Sequence, residues 1–276
     1  MVNRYKTSND FKKALTARLQ EISKKEGIDI QRLQRRVAFD RLLCRLFNDF
    51  KASWILKGGH ALELRINEAR ATIDIDLAMR DDSNEEILQK IQEKASLDLQ
   101  DYFEFVISEN KEFIQGPPYG GVKFHVIAQI AGVTYVEFNI DIGIGDAWIE
   151  PYENVQLQDW LNFADIKSIS IPVISKEQHF AEKLHAYTLP RESNSRVKDF
   201  FDLYLLIRKF ELNRELLNQA IILTFERRKT HEIPRDILPP PDNWEKQFKA
   251  MAMECKIKID IVKAYEGIRK FYLNLK

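Results

Sequence analysis

Apolar residues recur at helical spacing from the start of the chain. Phe11, Leu15, Leu19 and Ile22 form one stripe, which predicts a helix capped by Ser8-Asn9-Asp10 and ended by Gly27. A second helical pattern runs from about Ile30 through Leu33, Val37, Phe39, Leu42, Leu43, Leu46 and Phe47 to Phe50. The period then changes. Trp54-Ile55-Leu56 is a short apolar run that meets Lys57-Gly58-Gly59, and a new helical stripe begins at His60-Ala61-Leu62. This order predicts a strand, a glycine turn and a helix N-terminus. Between Thr72 and Ala78, Ile73, Ile75 and Leu77 alternate with Asp74 and Asp76, so a strand here points both carboxylates the same way.

Glu85 to about Ala95 reads as a helix and Tyr102 to Ile107 as a strand. Gly116 to Gly121 is a turn or loop. Val122–Ala128 and Val133–Ile142 are strands joined near Gly132, and the second carries Glu137, Asn139 and Asp141 on one face. After Pro172 the pattern is largely helical, at Lys176–Tyr187, Arg196–Phe210, Arg214–Lys229 and Trp244–Leu275. Pro239-Pro240-Pro241 lies in a stiff connector between the last two. The fold class expected is α+β: N-terminal helices over residues 1–50, a mixed sheet flanked by helices over 51–172, and a helical lobe over 173–276.

Composition adds little. With 45% hydrophobic and 30% charged residues this is an ordinary globular chain. A net charge of +0 gives no whole-molecule attraction to nucleic acid, so the placement of charge matters more than its total. Arg32, Arg35, Arg36, Arg41 and Arg45 crowd the second helix, and Arg227-Arg228-Lys229 form a second cluster. Each is either a solvated face or a surface for RNA phosphates. Cys44 and Cys255 stand in helix-like segments, at no metal or disulfide spacing. No run has membrane-spanning length and the first residues lack a secretory pattern, so a cytoplasmic protein without membrane contact is expected.

Two glycines after a strand let the backbone approach a ligand, and the amides of the following helix suit phosphate. Asp74 and Asp76 on one strand face form an oxygen-rich set suited to Mg²⁺ or Mn²⁺. Asp141, flanked by Ile140 and Ile142, is the candidate third carboxylate, with Glu137 in reserve unless it serves in cross-strand pairing. Chemistry that needs this set is nucleotidyl transfer to a hydroxyl.

K-G-G-H-A-L-E-L-R followed by R-A-T-I-D-I-D-L resembles the first motif of the AbiEii/AbiGii-type nucleotidyltransferases, a branch of the DNA polymerase β-like nucleotidyltransferase superfamily. K-E-Q-H-F-A-E-K-L-H-A-Y and R-V-K-D-F-F-D-L-Y-L-L resemble that branch's later motifs. The resemblance covers about Trp54 to Ile207. It implies nucleotide-binding roles for Lys57, Gly58, Gly59, His60, Arg65, Arg70 and Thr72, and metal-binding roles for Asp74 and Asp76. It also implies that Lys183 and Asp199, with Asp202 behind them, serve the catalytic cleft from the helical lobe. His60 departs from the small hydroxyl residue of many relatives, and either donates to phosphate or caps its helix. Lys183 either neutralises triphosphate charge or pairs with Glu182, Glu177 or Asp199.

The activity implied is transfer of a nucleoside monophosphate from an NTP to an acceptor hydroxyl, such as the tRNA 3′ end. Relatives act as toxins of toxin–antitoxin or phage-defence systems, so a separate antitoxin protein is the implied partner. A protein or small-molecule acceptor, or a non-catalytic nucleotide- or RNA-binding module, is the alternative.

Overall fold

The computed structural model describes residues 4–49, 53–80, 86–113, 118, 120–190 and 196–275. The expected helix start at Glu85, the helix end at Phe50 and parts of the 116–121 turn fall outside them. The chain divides into two units. One comprises Met1–His60, Ala71–Gly145 and Asn154–Pro172; the other comprises Ala61–Arg70, Asp146–Glu153 and Val173–Lys276.

The first unit is built on a seven-stranded sheet. Its strands are β1 (Trp54–Lys57), β2 (Asp74–Met79), β3 (Phe103–Phe113), β4 (Gly121–Ile130), β5 (Val133–Ile144), β6 (Glu153–Gln156) and β7 (Ser170–Val173). They lie in the order β3-β4-β5-β2-β1-β7-β6. β3, β4 and β5 form an antiparallel meander, β2 pairs parallel with β5, and β1 pairs antiparallel with β2. The sheet is therefore mixed, and β2 with β5 and β1 with β7 are strand pairs of long sequence separation. Ile73 is exposed and precedes β2, so the buried face of that strand is carried by Ile75 and Leu77.

Helix α1 (Ser8–Glu26) starts at Thr7, whose side chain accepts from the Asp10 amide, and ends at Gly27 in the left-handed conformation. Helix α2 (Ile30–Leu46) is capped by Asp29 and is buried over most of its length. Its arginines correct the expectation of a basic outer face. Arg36, Arg41 and Arg45 are buried. Arg45 donates to both oxygens of Asp101, at 2.9 and 2.7 Å, and to the Phe103 carbonyl at 2.8 Å; Arg41 Nε donates to Asp101 Oδ2 at 2.7 Å. Burial works to raise the Asp101 pKa, but the two guanidiniums outweigh it and hold the carboxyl below its ordinary value. Arg41 and Arg45 are thus spent on one internal carboxylate, as a buried charge requires. Helices α3 (Gly58–Arg65) and α4 (Ile87–Ala95) follow β1 and β2 respectively.

The second unit is helical: α5 (Lys176–Thr188), α6 (Val197–Lys209), α7 (Arg214–Arg228), α8 (Glu245–Glu254) and α9 (Ile261–Leu273). Phe180, Leu184, Phe200, Phe201, Leu217, Phe225, Trp244, Phe248 and Ile268 share one apolar cluster. The single pattern expected over Trp244–Leu275 is two helices. Lys256 takes a positive φ of 53° after α8, and Asp260 starts α9 by accepting from the Lys263 amide. Among the described residues no helix is long and apolar enough to cross a membrane. Both cysteines are buried free thiols.

Candidate active site

Strand register assembles the site in the first unit. Lys123 on β4 faces Asp141 on β5, Asp141 faces Asp76 on β2, and Asp76 faces Lys57 on β1. Directly opposed residues of paired strands project from the same face of a sheet, so Lys123, Asp141, Asp76 and Lys57 form one row. Two residues along, His125, Asn139 and Asp74 form the next row. Asn139 Nδ2 donates to Asp74 Oδ1 at 3.4 Å. Glu137 lies on the same face and meets His125, Nε2 to Oε2 3.3 Å, which is the cross-strand pairing open to it from the sequence.

The glycine turn lies against this acidic set. Gly58 has φ +65°, and a Cβ added there would sit 1.9 Å from Asp76 Oδ2. A Cβ added at Gly59 would sit 2.5 Å from Thr72 Oγ1. Both positions therefore need glycine, Gly58 for its conformation as well. The turn delivers the first amides of α3 next to the carboxylate of Asp76, so a phosphate on those amides and a cation on that carboxylate would be neighbours.

Asp141 is electrostatically strained. Its pKa is raised to about 6 by burial first and then by Asp76 and Asp74, with Lys123 opposing the shift. Lys123 Nζ is 3.6 Å from Asp141 Oδ2, while the buried Oδ1 has no hydrogen-bond partner. Three hard oxygen donors and an orphaned buried oxygen fit Mg²⁺ or Mn²⁺ in chemistry. Their side chains do not form a ready cage, however: among the described residues no three His, Cys, Asp or Glu are arranged to hold a metal ion. A cavity of about 930 Å³ lined by Tyr5, Tyr102, Phe103 and Phe105 shares no residue with the acidic rows.

The model of the family described as "Nucleotidyl transferase AbiEii toxin, Type IV TA system" matches residues 41–265 of this chain. The chain belongs to the AbiEii nucleotidyltransferase toxins. It is accordingly a nucleotidyltransferase. No curated protein matches it. Among solved structures it is similar to MenT4, a nucleotidyltransferase toxin from Mycobacterium tuberculosis H37Rv, at 16% identity and a TM-score of 0.62, over 94% of this chain and 97% of that one. It is also similar to a candidate nucleotidyltransferase from H. pylori, at 16% identity and a TM-score of 0.51, over 90% and 99% of the two chains. At this identity both likenesses speak for the fold.

Other residues that AbiEii motifs single out have different surroundings. His60 is buried and its Nε2 lies 3.0 Å from Asp40 Oδ1, so that nitrogen is engaged by α2. In the second unit Arg65 donates to Glu153 and, at 2.5 Å, to the Ile174 carbonyl. Burial is the main cause that lowers its pKa. Asp202 is fully buried, and Arg70 donates to both of its oxygens at 2.8 and 2.6 Å. Lys183 Nζ is 3.0 Å from Asp202 and 2.9 Å from Asp199. Burial acts to lower the Lys183 pKa, but Asp199 and Asp202 together drive it upward, so this amine is charged and doubly neutralised. Within this unit Lys183 makes the ion pair with Asp199 that is one of its two readings, and a second with Asp202. Glu177 is buried and accepts from the Asn213 amide at the start of α7.

The RNA-surface reading loses several members. Arg36 is buried, Arg35 Nε donates to the Thr72 carbonyl at 3.1 Å, and Arg228 is paired with buried Asp146 at 3.1 Å. Half-buried Arg32 and exposed Arg227 remain. Sequence reading placed Asn139 on the face of Asp141 without a role, and missed Lys123 and Asp40. Lys123 follows from the strand register of β4 and β5, while Asp40 gives no local signal.

Proposed function

We propose that this AbiEii protein transfers a nucleoside monophosphate from an NTP to a hydroxyl of RNA, with the tRNA 3′ end as acceptor, and acts as a toxin restrained by a cognate antitoxin protein in the cytoplasm. The observation that carries this reading is the contact of the glycine turn with Asp76 inside the Lys123–Asp141–Asp76–Lys57 row. The α3 amides and Lys57 bind the triphosphate. Asp74 and Asp76, completed by Asp141, would hold the divalent cation. When bound, that ion supplies positive charge to the phosphates as negative charge builds on them. The acceptor oxygen attacks the α-phosphorus, the bond from that phosphorus to the oxygen bridging to the β-phosphate breaks, and pyrophosphate leaves. The hydroxyl proton passes to Asp141, the member of the acidic set with a buried oxygen left without a hydrogen-bond partner.

The test is incubation of the purified protein with each of four α-labelled NTPs, Mg²⁺ or Mn²⁺ and total tRNA, beside an Asp74→Ala/Asp76→Ala variant. Label entering tRNA only with the intact protein supports the reading and names the nucleotide. Label in protein or small molecules moves the acceptor, and no incorporation with any of the four NTPs overturns the reading.

A further inference from the structure

We infer that Asp40 and His60 are the positioning pair for the nucleotide-binding glycine turn, with α2 as its brace. The inference rests on the reading of that turn as the seat of the triphosphate. Gly58 and Gly59 have no side chains, so the first residue by which the turn can be gripped is His60. Its ring is 1% exposed, lies edge-to-face on Phe39 with centroids 5.0 Å apart, and reaches Asp40 Oδ1 at 3.0 Å. An ionised carboxylate has no proton to give, so Nε2–H is the donor and the tautomer is set by Asp40.

Asp40 is itself fixed. Its Oδ2 accepts from Trp160 Nε1 at 2.8 Å and from the Gln158 amide at 3.2 Å. One carboxylate thus ties together α2, the loop after β6 and the first turn of α3. The same helix grips the other wall of the turn, because Arg35 holds the carbonyl of Thr72, whose hydroxyl abuts Gly59. The turn is bounded by contact with Asp76 and Thr72 and tethered through His60 to Asp40. Three or four helix N-terminal amides favour a phosphate only if they stay aimed at it, and a misplacement of about 1 Å at such a site costs on the order of 10²-fold.

The pair is tested with His60→Leu, which fills the space without a donor, His60→Gln, which restores an N–H, and Asp40→Asn, which turns an acceptor into a donor at nearly constant shape. Equilibrium dialysis with each α-labelled NTP and Mg²⁺ gives Kd, and far-UV circular dichroism melts give stability. His60→Leu and Asp40→Asn should bind about tenfold more weakly, the scale of one charge-assisted hydrogen bond, and His60→Gln should stay within about threefold of the parent. Gly58→Ala is the control for the underlying reading and should abolish binding. If Gly58→Ala abolishes binding but His60→Leu and Asp40→Asn bind like the parent, the positioning role is wrong and the nucleotide seat stands. Equal weakening in all three, His60→Gln included, also overturns the role, since it would then be one of shape. If Gly58→Ala binds normally, the seat itself is misplaced. Should His60→Leu fail to melt cooperatively, the contrast of Asp40→Asn with His60→Gln decides.

Discussion

Two carboxylates, one in each unit, meet opposite surroundings. In the helical unit Asp202 is fully buried, receives two hydrogen bonds from Arg70 and lies 3.0 Å from Lys183, and its pKa is held below the ordinary value although burial pushes the other way. In the sheet unit Asp141 is less buried, has one lysine at 3.6 Å and two acids nearby, and its pKa is pushed up to about 6. Residue type is the same and burial favours neutrality in both. The difference is the sign of the neighbours: an acid answered by cations holds a fold together, and an acid left among acids is poised for an ion or a proton.

The largest effect expected from breaking this contrast is at Asp202. Asp202→Ala removes the carboxylate that takes two hydrogen bonds from buried Arg70 and leaves Lys183 with Asp199 alone, and denaturant unfolding should show a loss of about 3–5 kcal/mol. Asp76→Asn should do the reverse. Its kcat for NTP incorporation should fall roughly 10²- to 10³-fold with little change in the melting curve, the scale for removing one group that acts on transition-state charge.

Asp141→Asn sharpens the comparison further, because it should stabilise the metal-free protein. The folded pKa lies above the unfolded value near 3.8, so the charged acid destabilises the fold fully above about pH 6, and the penalty fades as pH falls through 6 toward 4. With solvent screening at this partly open group, a gain on the order of 1 kcal/mol, or about 2–4 °C in Tm at pH 8, is expected, and none at pH 4. A destabilised variant at pH 8 would contradict the strain. Asp101 has the opposite sign. Its pKa is depressed, so its contribution is complete above the unfolded pKa and is lost as pH falls below about 4 through the folded value. Asp101→Asn should therefore cost stability at neutral pH and flatten the acid limb of the stability curve.

What the sequence revealed follows the same division. Alternation placed Asp74 and Asp76 on one face of β2 and Asp141 on one face of β5, because a side-chain period of two is local. The glycine turn was legible for the same reason. That Asp76 faces Asp141 is a matter of register between strands 65 positions apart, and Lys123 enters only through it. The α2 arginines looked solvated because Asp101 stands 56 and 60 residues beyond Arg45 and Arg41. His60 was open to two readings, phosphate donor or helix cap, because its partner Asp40 lies 20 residues back, on a different helix. β6 and β7 have four residues each, too few for alternation to register. Helical spacing also continued through Lys256, where only the backbone shows the break.

The parallel pairing of β2 with β5 has a consequence for biosynthesis. Strands that run the same way cannot be joined by a tight turn, and here the whole β3–β4 meander intervenes between them. A growing or truncated chain that ends before Asp141 already carries the glycine turn, Asp74 and Asp76, but lacks the strand that aligns them with a third acid. Closing so long a loop comes late in folding. An unfinished chain therefore carries two of the three acids, and the full set comes together only once β5 is in place beside β2.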